Sequence, residues 1–318
     1  MNDPYENSGD YSPSEPLQLT VPDASAGQRL DQAMAALLPQ HSRNRLQQWI
    51  RDACVEVDGV VVTEPKRKVL GGERLLLDLP DEAASMAGQA EDIPLDIVFE
   101  DEALLVINKP AGLVVHPGSG NWNGTLMNAL LHHLPEIAEV PRAGIVHRLD
   151  KDTSGLMVVA KTLEVQTDLV RQLQARTVKR QYLAIAQGLI RRDGGVDTPI
   201  GRHPVQRIKM AVVPESRGGK PALTWYRRLE LFAHCTLLEC ALETGRTHQI
   251  RVHMASIGHP LLGDPVYGKR DPRLPVFKRQ ALHATRLGLV HPVSTRTMQW
   301  EVPMPEDMRD LVETLRYA

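Results

Sequence analysis

A short charged stretch between two apolar runs is the feature that most restricts how this chain can fold. Ala143–Val146 and Leu156–Ala160 predict two buried strands, while six of the seven residues from His147 to Thr153 are polar or charged. Core strands on both sides would hold this segment rigidly and leave it accessible, as catalytic sites require. Asp150 lies at its centre and is a candidate catalytic carboxylate. The alternative is that Asp150 and Asp152 only shape a turn and pair with neighbouring basic residues.

The length and the cysteines limit the class of protein. With 318 residues the chain can form two domains, each with its own core. No run of eighteen apolar residues occurs and the first residues are acidic, so neither a transmembrane helix nor a signal or transit peptide is predicted. Cys54, Cys235 and Cys240 form no C-x-x-C pair, which indicates a reducing compartment and a cytoplasmic location.

The net charge of −2 conceals an uneven distribution. Residues 1–16 and 81–102 contain acidic residues and no Lys or Arg. Residues 141–290 contain 25 Lys and Arg against 12 Asp and Glu. A basic body attracts polyanions whatever the total charge, so we expect a nucleic-acid partner, although basic residues scattered over a solvated surface would give the same count.

Residues 17–80 predict a compact unit between a disordered tail, 1–16, and a flexible acidic linker, 81–93. Two amphipathic helices are expected, the second capped by Ser42, followed by a hairpin that turns at Asp58-Gly59. Both helices and the end of the hairpin carry basic residues that would form one positive face. The expected RNA-binding residues of this unit are Arg43, Arg45, Lys66, Arg67 and Lys68.

Four short segments of this unit resemble the signature of the S4 RNA-binding domain. They are Arg29-Leu-Asp31, Ser42-Arg43, Val57-Asp-Gly59 and Gly72-Glu73, in this order. The resemblance implies a small S4-like α/β RNA-binding module at residues 17–80.

From Pro94 to the end, 94–318, the sequence predicts a second, α+β domain. Apolar runs alternate with turns, but strands and helices do not alternate regularly, so we expect a mixed, mainly antiparallel sheet with helices against it. Lys179–Ala186 alternates as a strand. This would place Tyr182 on one face beside Ala184 and Ala186, with space above its ring.

A helix is also predicted between Gly245 and Gly258, with Thr247 as its N-cap. Arg246 would then lie just before the helix, where its guanidinium could pair with a carboxylate across a cleft or hold a phosphate. The alternative is an ordinary surface arginine near a helix cap.

Several other chemistries lack their sequence patterns. His248 and His253 are five residues apart, without an H-E-x-x-H motif or a Cys/His cluster, so no catalytic metal is expected. The glycine-rich segment 117–124 is not a P-loop, and no G-x-S-x-G elbow is present.

Three motifs in the second domain resemble those of the RluA-type pseudouridine synthases. They are His147-Arg-Leu-Asp-Lys-Asp-Thr-Ser-Gly-Leu156, Lys179-Arg-Gln-Tyr182 and Gly245-Arg-Thr-His-Gln-Ile-Arg251. With the S4-like module, the resemblance extends from about residue 17 to the end. It implies the pseudouridine synthase fold and the isomerisation of specific uridines to pseudouridine, without a cofactor or metal. The layout matches members acting on large-subunit (23S) rRNA, which implies a target in the helix 69 loop.

The resemblance also assigns roles to residues. Asp150 matches the catalytic aspartate, which adds to the ribose or removes a proton from it. Arg246 is expected to pair with Asp150, and Tyr182 to stack near the uracil and take its C5 proton. Arg148 would fill the position that the flipped uridine leaves, or hold a phosphate. The expected partner is RNA, not DNA or a membrane, and the expected state is a monomer.

Two other functions fit parts of the sequence. One is a non-catalytic RNA-binding or ribosome-assembly factor, which would not need Asp150, Tyr182 and Arg246 together. The other is an aspartate-dependent hydrolase such as a glycosidase, for which Asp152 would have to supply the second carboxylate.

Overall fold

The computed structural model describes residues 17–38, 43–77, 89–118, 121–206 and 209–317. The chain divides into two compact units, Met1–Gly88 and Gln89–Ala318. The predicted tail at 1–16, the Ser42 cap and the first part of the predicted linker lie outside the described residues. None of the helices in the described ranges is long and apolar enough to cross a membrane.

The described residues of the first unit form a four-stranded antiparallel sheet covered by two helices. Its strands are β1 (Leu17–Thr20), β2 (Val55–Val57), β3 (Val60–Val61) and β4 (Arg74–Leu77), in the order β1-β4-β2-β3, and its helices are α1 (Leu30–Leu37) and α2 (Arg43–Arg51). The helices bury their apolar faces against the sheet, and Leu30, Met34, Leu46 and Ile50 are fully buried. The predicted hairpin is confirmed, because Asp58 and Gly59 both have positive φ, as a two-residue hairpin turn requires.

The second unit is built on one large sheet. Its strands are β5 (Ile97–Glu100), β6 (Leu104–Lys109), β7 (Ser154–Ala160), β8 (Lys179–Gln187), β9 (Gly194–Asp197), β10 (Ile200–Arg202), β11 (Met210–Val212), β12 (Leu223–Leu231), β13 (Cys235–Leu242), β14 (Leu282–Val290) and β15 (Thr297–Glu301). Its helices are α3 (Leu126–His133), α4 (Leu163–Gln174), α5 (Gln249–Ser256) and α6 (Glu306–Arg316).

The large sheet has the order β5-β6-β7-β14-β8-β13-β12-β9, with β15 paired to β14, while β10 and β11 form a separate hairpin. The pairing of β7 with β14 is parallel and the other described pairings in this sheet are antiparallel. The predicted α+β class with a mixed, mainly antiparallel sheet is therefore confirmed.

Helices cover the sheet on both faces. Residues of α3 and α5 pack on one face with Tyr182, and residues of α4 and α6 pack on the other. All seven residues of β7 are buried, so the strand that follows the charged loop is a fixed part of the core. Tyr182 shares its face with Ala184 and Ala186, as predicted, but its side chain is only 6% exposed, because the sheet face beside the small residues is filled by α5.

The second unit begins before Pro94. Asn128 in α3 donates from its side-chain amide to the carbonyl oxygen of Gln89 (2.7 Å) and accepts at its own carbonyl from Glu91 N (3.0 Å). The Glu91 carboxylate also accepts from Gly124 N (2.8 Å). Residues 89–93, predicted as the end of the flexible linker, are therefore anchored to α3 in the structure.

Candidate active site

A tight turn precedes the charged loop in the chain. Pro141–Gly144 is a 3₁₀ turn in which Arg142, Ala143 and Gly144 have positive φ, and Ile145 forms a single bridge with Val159 of β7. The predicted strand at Ala143–Val146 is therefore wrong, because these φ angles are incompatible with an extended chain. The predicted strand after the loop is confirmed as part of β7. Val158 N donates to His147 Nε2 (3.1 Å), which ties the start of the loop to β7.

A buried lysine forms a hydrogen bond to the backbone of the charged loop. Lys109 is 1% exposed, and its Nζ donates to the carbonyl oxygens of Pro110 (2.7 Å), Leu113 (2.9 Å) and Lys151 (2.9 Å). Burial lowers the pKa of its ammonium group to about 8, and the charges of Asp152 and Asp150 partly offset that effect. Three carbonyl oxygens satisfy all three donors of this group, so its burial costs little in lost hydrogen bonds.

The far end of the loop is held by strand β14 and the segment before it. Arg279 Nη1 donates to Asp152 O (3.1 Å), and Gln280 Nε2 donates to Thr153 Oγ1 (3.1 Å). Ser154 Oγ and His283 Nδ1 are hydrogen-bonded at 2.9 Å. These contacts leave the Asp150 side chain free to point away from the sheet core, and it is 17% exposed.

The Asp150 carboxylate is oriented by a buried arginine. Asp150 Oδ2 accepts from Arg251 Nη1 at 2.8 Å. The same guanidinium forms two hydrogen bonds with Asp264, from Nε to Oδ2 (2.7 Å) and from Nη2 to Oδ1 (2.9 Å). Asp264 Oδ1 also accepts from Val266 N (2.8 Å) and Tyr267 N (3.0 Å). Asp264 thus fixes the plane of the arginine, and the arginine fixes Asp150.

The electrostatics of this triad agree with its geometry. Burial alone would raise the pKa of the fully buried Asp264 carboxyl, but the hydrogen bonds and charge of Arg251 bring its pKa below the ordinary value. Burial opposes ionisation of Arg251 in the same way, and its pKa is nevertheless raised by Asp264 and then by Asp150. Asp264 and Arg251 are therefore both charged at neutral pH, and the guanidinium of Arg251 forms hydrogen bonds with two carboxyl side chains, those of Asp264 and Asp150.

The predicted ion pair between Arg246 and Asp150 is wrong, because Arg251 occupies that position. Arg246 is exposed, and its Nε donates to Pro221 O (3.1 Å). The reason is where the helix starts: α5 begins at Gln249, one residue later than a Thr247 cap implies, and His248 before it has φ 57°. Gln249 Oε1 accepts from Arg246 N (3.0 Å), and this hydrogen bond stabilises the N-terminus of the helix in place of a Thr247 cap.

His248 adds a neutral group beside the carboxylate. Its left-handed backbone directs the imidazole so that Nε2 lies 3.7 Å from Asp150 Oδ1, while Nδ1 is 2.8 Å from the Tyr267 hydroxyl. Burial lowers the pKa of His248, and the charge of Asp150 offsets this only in part. The imidazole is therefore uncharged at neutral pH, and Asp150 Oδ1 stays available for a substrate.

Tyr182 lies on β8 within the electrostatic range of Asp150. Burial raises the pKa of its phenol, the charge of Arg180 opposes this in part, and Asp150 raises it further. The surroundings therefore favour the protonated phenol and do not help Tyr182 to act as a base. Arg148 is exposed on the loop, two residues before Asp150. Burial lowers the pKa of His116 and of His248, and the charge of Arg148 adds to this effect at both.

In the first unit, one buried carboxylate accepts hydrogen bonds from two arginine side chains. Asp31 accepts from Arg29 Nε (2.9 Å) and from Arg43 Nε (2.9 Å). Burial raises the pKa of Asp31, but the hydrogen bonds of Arg43, Gln47 and Arg29 bring it below the ordinary value. The exposed segment Lys66–Lys68 lies next to them, since Leu30 N donates to Arg67 O (2.7 Å). The side chain of Arg45 is outside the described part of the chain.

Four residues of the candidate site were not predicted from the sequence: Lys109, Arg251, His248 as a neighbour of Asp150, and Asp264. Arg251 did lie in a motif that carried the family resemblance, but helical periodicity could not show which arginine of that motif faces the loop. A signal for Lys109 existed in the charge pattern, because a lysine at the end of an apolar strand requires several oxygen partners.

His283 makes the second unit sensitive to acid. Burial lowers its pKa to about 4, assisted by the charge of Arg279, and its side chain is 1% exposed. Because the unfolded chain binds a proton at higher pH than the folded chain, stability is lost as the pH falls below about 6.5. Between pH 7 and pH 5 we expect the free energy of unfolding to fall by roughly 2 kcal/mol less in His283→Asn than in the wild type. The free energy is measured by urea unfolding at each pH.

The matched control for this measurement is His133→Asn, which replaces a part-exposed histidine of α3 that contacts Glu100. Comparing each variant with itself at the two pH values cancels any change in stability at neutral pH. Equal pH dependence for the wild type and His283→Asn would show that His283 is not a source of the acid sensitivity.

Comparisons with known proteins identify the family of both units. Residues 103–256 match the family described as RNA pseudouridylate synthase, and residues 28–75 match the S4 domain. The chain is 59% identical over 309 residues to the "Ribosomal large subunit pseudouridine synthase D" of Nitrosomonas europaea, covering 94% of this chain and 88% of the relative. It is 55% identical over 312 residues to the protein of the same description from Escherichia coli (strain K12), covering 94% of each.

Solved structures show the same fold. The structure titled "Human RNA Pseudouridylate Synthase Domain Containing 4" has a TM-score of 0.55 at 28% identity and covers 69% of this chain and 92% of its own. "Human RNA Pseudouridylate Synthase Domain Containing 1" has a TM-score of 0.53 at 27% identity and covers 72% and 97%. Because the similarity to the curated relatives spans almost the whole chain, and the family match includes Asp150, Tyr182 and Arg251, the chain belongs to the RluA-type RNA pseudouridine synthases, isomerases that here carry an N-terminal S4 domain.

Proposed function

We propose that this protein converts specific uridines of large-subunit (23S) rRNA to pseudouridine, in the loop of helix 69. The substrate class is supported by the relatives described as large-subunit synthases, which match 94% of this chain. As a partner we propose RNA rather than DNA, bound by a monomer in the cytoplasm. The basic excess of residues 141–290 supports binding to an RNA backbone.

The observation that carries the catalytic proposal is the unequal environment of the two Asp150 oxygens. Oδ2 accepts a charge-assisted hydrogen bond from Arg251, and Oδ1 has the neutral His248 ring at 3.7 Å. We assign Oδ1 to the ribose, either as the nucleophile at C1′ or as the base that takes a ribose proton. In both cases the N1–C1′ bond breaks, the uracil turns, and the C5–C1′ bond forms. As nucleophile, Oδ1 bonds to C1′ as N1 leaves, and this bond breaks when C5 attacks C1′; as base, Asp150 returns the proton to the ribose. The C5 proton leaves and N1 gains a proton, so the reaction is a balanced isomerisation.

For Tyr182 we propose contact with the uracil as the main role. A buried phenol with a raised pKa remains protonated at neutral pH, and this counts against the predicted removal of the C5 proton by free tyrosinate. A flat ring on the buried sheet face can instead pack against the base and hold it while it turns. Arg148, exposed on the loop, is the residue that we propose fills the space the flipped nucleotide leaves.

The S4 domain is proposed to hold the rRNA through Arg29, Arg43 and the segment Lys66–Lys68. The Asp31 carboxylate holds the Nε atoms of Arg29 and Arg43, so that their positions are fixed before RNA arrives. Preorganised guanidinium groups lose less entropy on binding a phosphate than free ones do. Arg45, also predicted to bind RNA, remains a candidate on the same helix.

Removing one of these cations is expected to weaken RNA binding without slowing the reaction at saturating RNA. Arg43→Gln should lower the affinity several-fold and reduce the slope of log Kd against log salt by about 1, since one phosphate contact is lost. Kd is measured by filter binding over a range of salt concentrations, and the rate by single-turnover kinetics.

The control is Arg74→Gln, which removes one charge from β4. Arg74 is exposed and alternates with the buried Leu75, so it lies on the sheet face away from the helices. An equal loss of affinity in the two variants would indicate a general charge effect and would count against a defined RNA site around Asp31.

The substrate proposal is tested by mapping pseudouridines in rRNA from cells that lack this protein. The expected result is the loss of pseudouridines from the helix 69 loop, with recovery after expression of the wild type but not of Asp150→Asn. Retention of every large-subunit pseudouridine in such cells would overturn the proposed substrate, while leaving the enzyme class unchanged.

A further inference from the structure

Arg180 is a buried cation on the active-site face of the sheet. It lies two residues before Tyr182 on β8, so both side chains emerge on the same face at a separation of about 7 Å along the strand. Its side chain is 8% exposed. This is the face that also carries the core residues Ala184 and Ala186 and packs against α5.

No residue in the described ranges satisfies this guanidinium. Its Nε is buried without a hydrogen-bond partner, and none of its nitrogens pairs with a carboxylate among the described residues. Other buried arginines of the unit do have partners: Arg251 pairs with Asp264, and Arg279 pairs with Asp307. A buried charge without a partner is costly and needs an explanation, and a ligand that arrives during the reaction is one.

The position of the guanidinium points to the catalytic loop and the entrance of α5. A Cβ atom placed on Gly245 would lie 2.6 Å from Arg180 Nη1, so the guanidinium packs directly over that glycine, next to the exposed Arg246. Burial lowers the pKa of His147, at the start of the loop, and the charge of Arg180 adds to this effect; the same charge opposes the rise in pKa that burial causes at Tyr182. Arg180 is thus close to three segments that form the site.

We propose that Arg180 binds a phosphate oxygen of the target nucleotide when the uridine enters the site. A neutral uracil carbonyl could accept one hydrogen bond, but it would leave the buried charge uncompensated, whereas a phosphate supplies both the acceptors and the opposite charge. Gly245 is required in this arrangement because any side chain there would displace the guanidinium. The inference rests on an RNA substrate, and the linkage it concerns is one that flanks the target uridine.

The test is a double-mutant cycle between protein and RNA. The RNA is a fragment of large-subunit rRNA that the wild type converts, with one linkage at a time beside the target replaced by an uncharged methylphosphonate. In the Asp150→Asn background, which prevents turnover, Kd is measured with Arg180 intact and with Arg180→Met. At one linkage we expect the methylphosphonate to weaken binding to the Arg180 protein roughly 30-fold or more, and to have little further effect on Arg180→Met.

Two more variants separate binding from folding. Gly245→Ala retains Arg180 but shifts its guanidinium, and should reduce the effect of the same methylphosphonate. Arg227→Met removes an exposed cation of β12, the strand on the opposite side of β13 from β8. Arg227 pairs with Glu239 of β13, and its replacement should leave the cycle unchanged. If methylphosphonate and Arg180→Met act independently at every linkage beside the target, the phosphate assignment is wrong and Arg180 has a structural role.

Failure of the substrate proposal has a different outcome. If the wild type converts no large-subunit fragment, the same cycle is measured on an RNA that it does convert. Coupling between the methylphosphonate and Arg180→Met on that RNA would support the Arg180 proposal, and independence would contradict it.

Discussion

Replacing Asp150 by asparagine is expected to lower the single-turnover rate of pseudouridine formation by about 10⁴-fold or more, since an amide is neither a nucleophile nor a base. The binding of RNA should change little, because Asp150 is a small part of a large basic surface. Arg251 would keep its two hydrogen bonds to Asp264, so the support of the site would stay in place. Pseudouridine is counted by release of tritium from 5-³H-uridine RNA.

The matched control is Asp152→Asn, two residues along the same loop. Asp152 contributes its backbone carbonyl to the site, through Arg279 Nη1, and substitution of the side chain preserves that contact. We expect this variant to retain activity within a few-fold of the wild type. An Asp150→Asn protein that is folded, binds RNA and still turns over at the wild-type rate would remove Asp150 from the mechanism.

The second large effect is expected at Arg251. Arg251→Met should reduce the turnover rate by about 10²-fold to 10³-fold, because Asp150 loses the hydrogen bond that orients it. It should also destabilise the second unit by about 3–5 kcal/mol, because the fully buried Asp264 is left without its partner. Rates are measured under single-turnover conditions, and stability is measured by urea unfolding.

Arg246→Met is the control that distinguishes the two arginines. Its guanidinium is exposed and bonds to a backbone carbonyl, so stability should change by less than about 0.5 kcal/mol and the rate at saturating RNA should stay near that of the wild type. If Arg246→Met abolishes turnover at saturating RNA and Arg251→Met does not, Arg246 is the functional partner of Asp150 after all.

A double variant separates catalysis from folding at this position. Arg251→Met combined with Asp264→Leu removes both charges of the buried pair, and apolar residues of similar size often replace such pairs without loss of stability. We expect the double variant to recover most of the stability lost by Arg251→Met but none of the activity. Recovery of activity would show that Arg251 acts only by keeping the unit folded.

The sequence was sufficient for the features that depend on local pattern. The hairpin at Asp58-Gly59, the apolar strand β7 after the loop and the mixed sheet followed from turn chemistry and periodicity, and the motifs identified the family. Arg246 and Arg251 show where such inference ends. Both lie in one motif, and which of them reaches Asp150 is decided by the left-handed His248 and by Asp264, thirteen residues beyond Arg251.

The prediction of a strand at Ala143–Val146 failed for a related reason. Residues 143–146 are apolar or small, which favours a strand, but Arg142, Ala143 and Gly144 have three successive positive φ angles. Long-range packing and not local preference determines that conformation. Lys109 is another long-range feature, because its partner Lys151 O is 42 positions away in the sequence.

The support of the catalytic loop by Lys109 and Arg279 has a consequence for engineering. Both cations hold the loop by carbonyl oxygens, at Lys151 and Asp152, which every amino acid provides. The side chain of an exposed loop position such as Lys151 can therefore be exchanged in a combinatorial library while the backbone keeps its shape. Selection from such a library could redirect the enzyme to other RNA loops and leave the reaction chemistry intact.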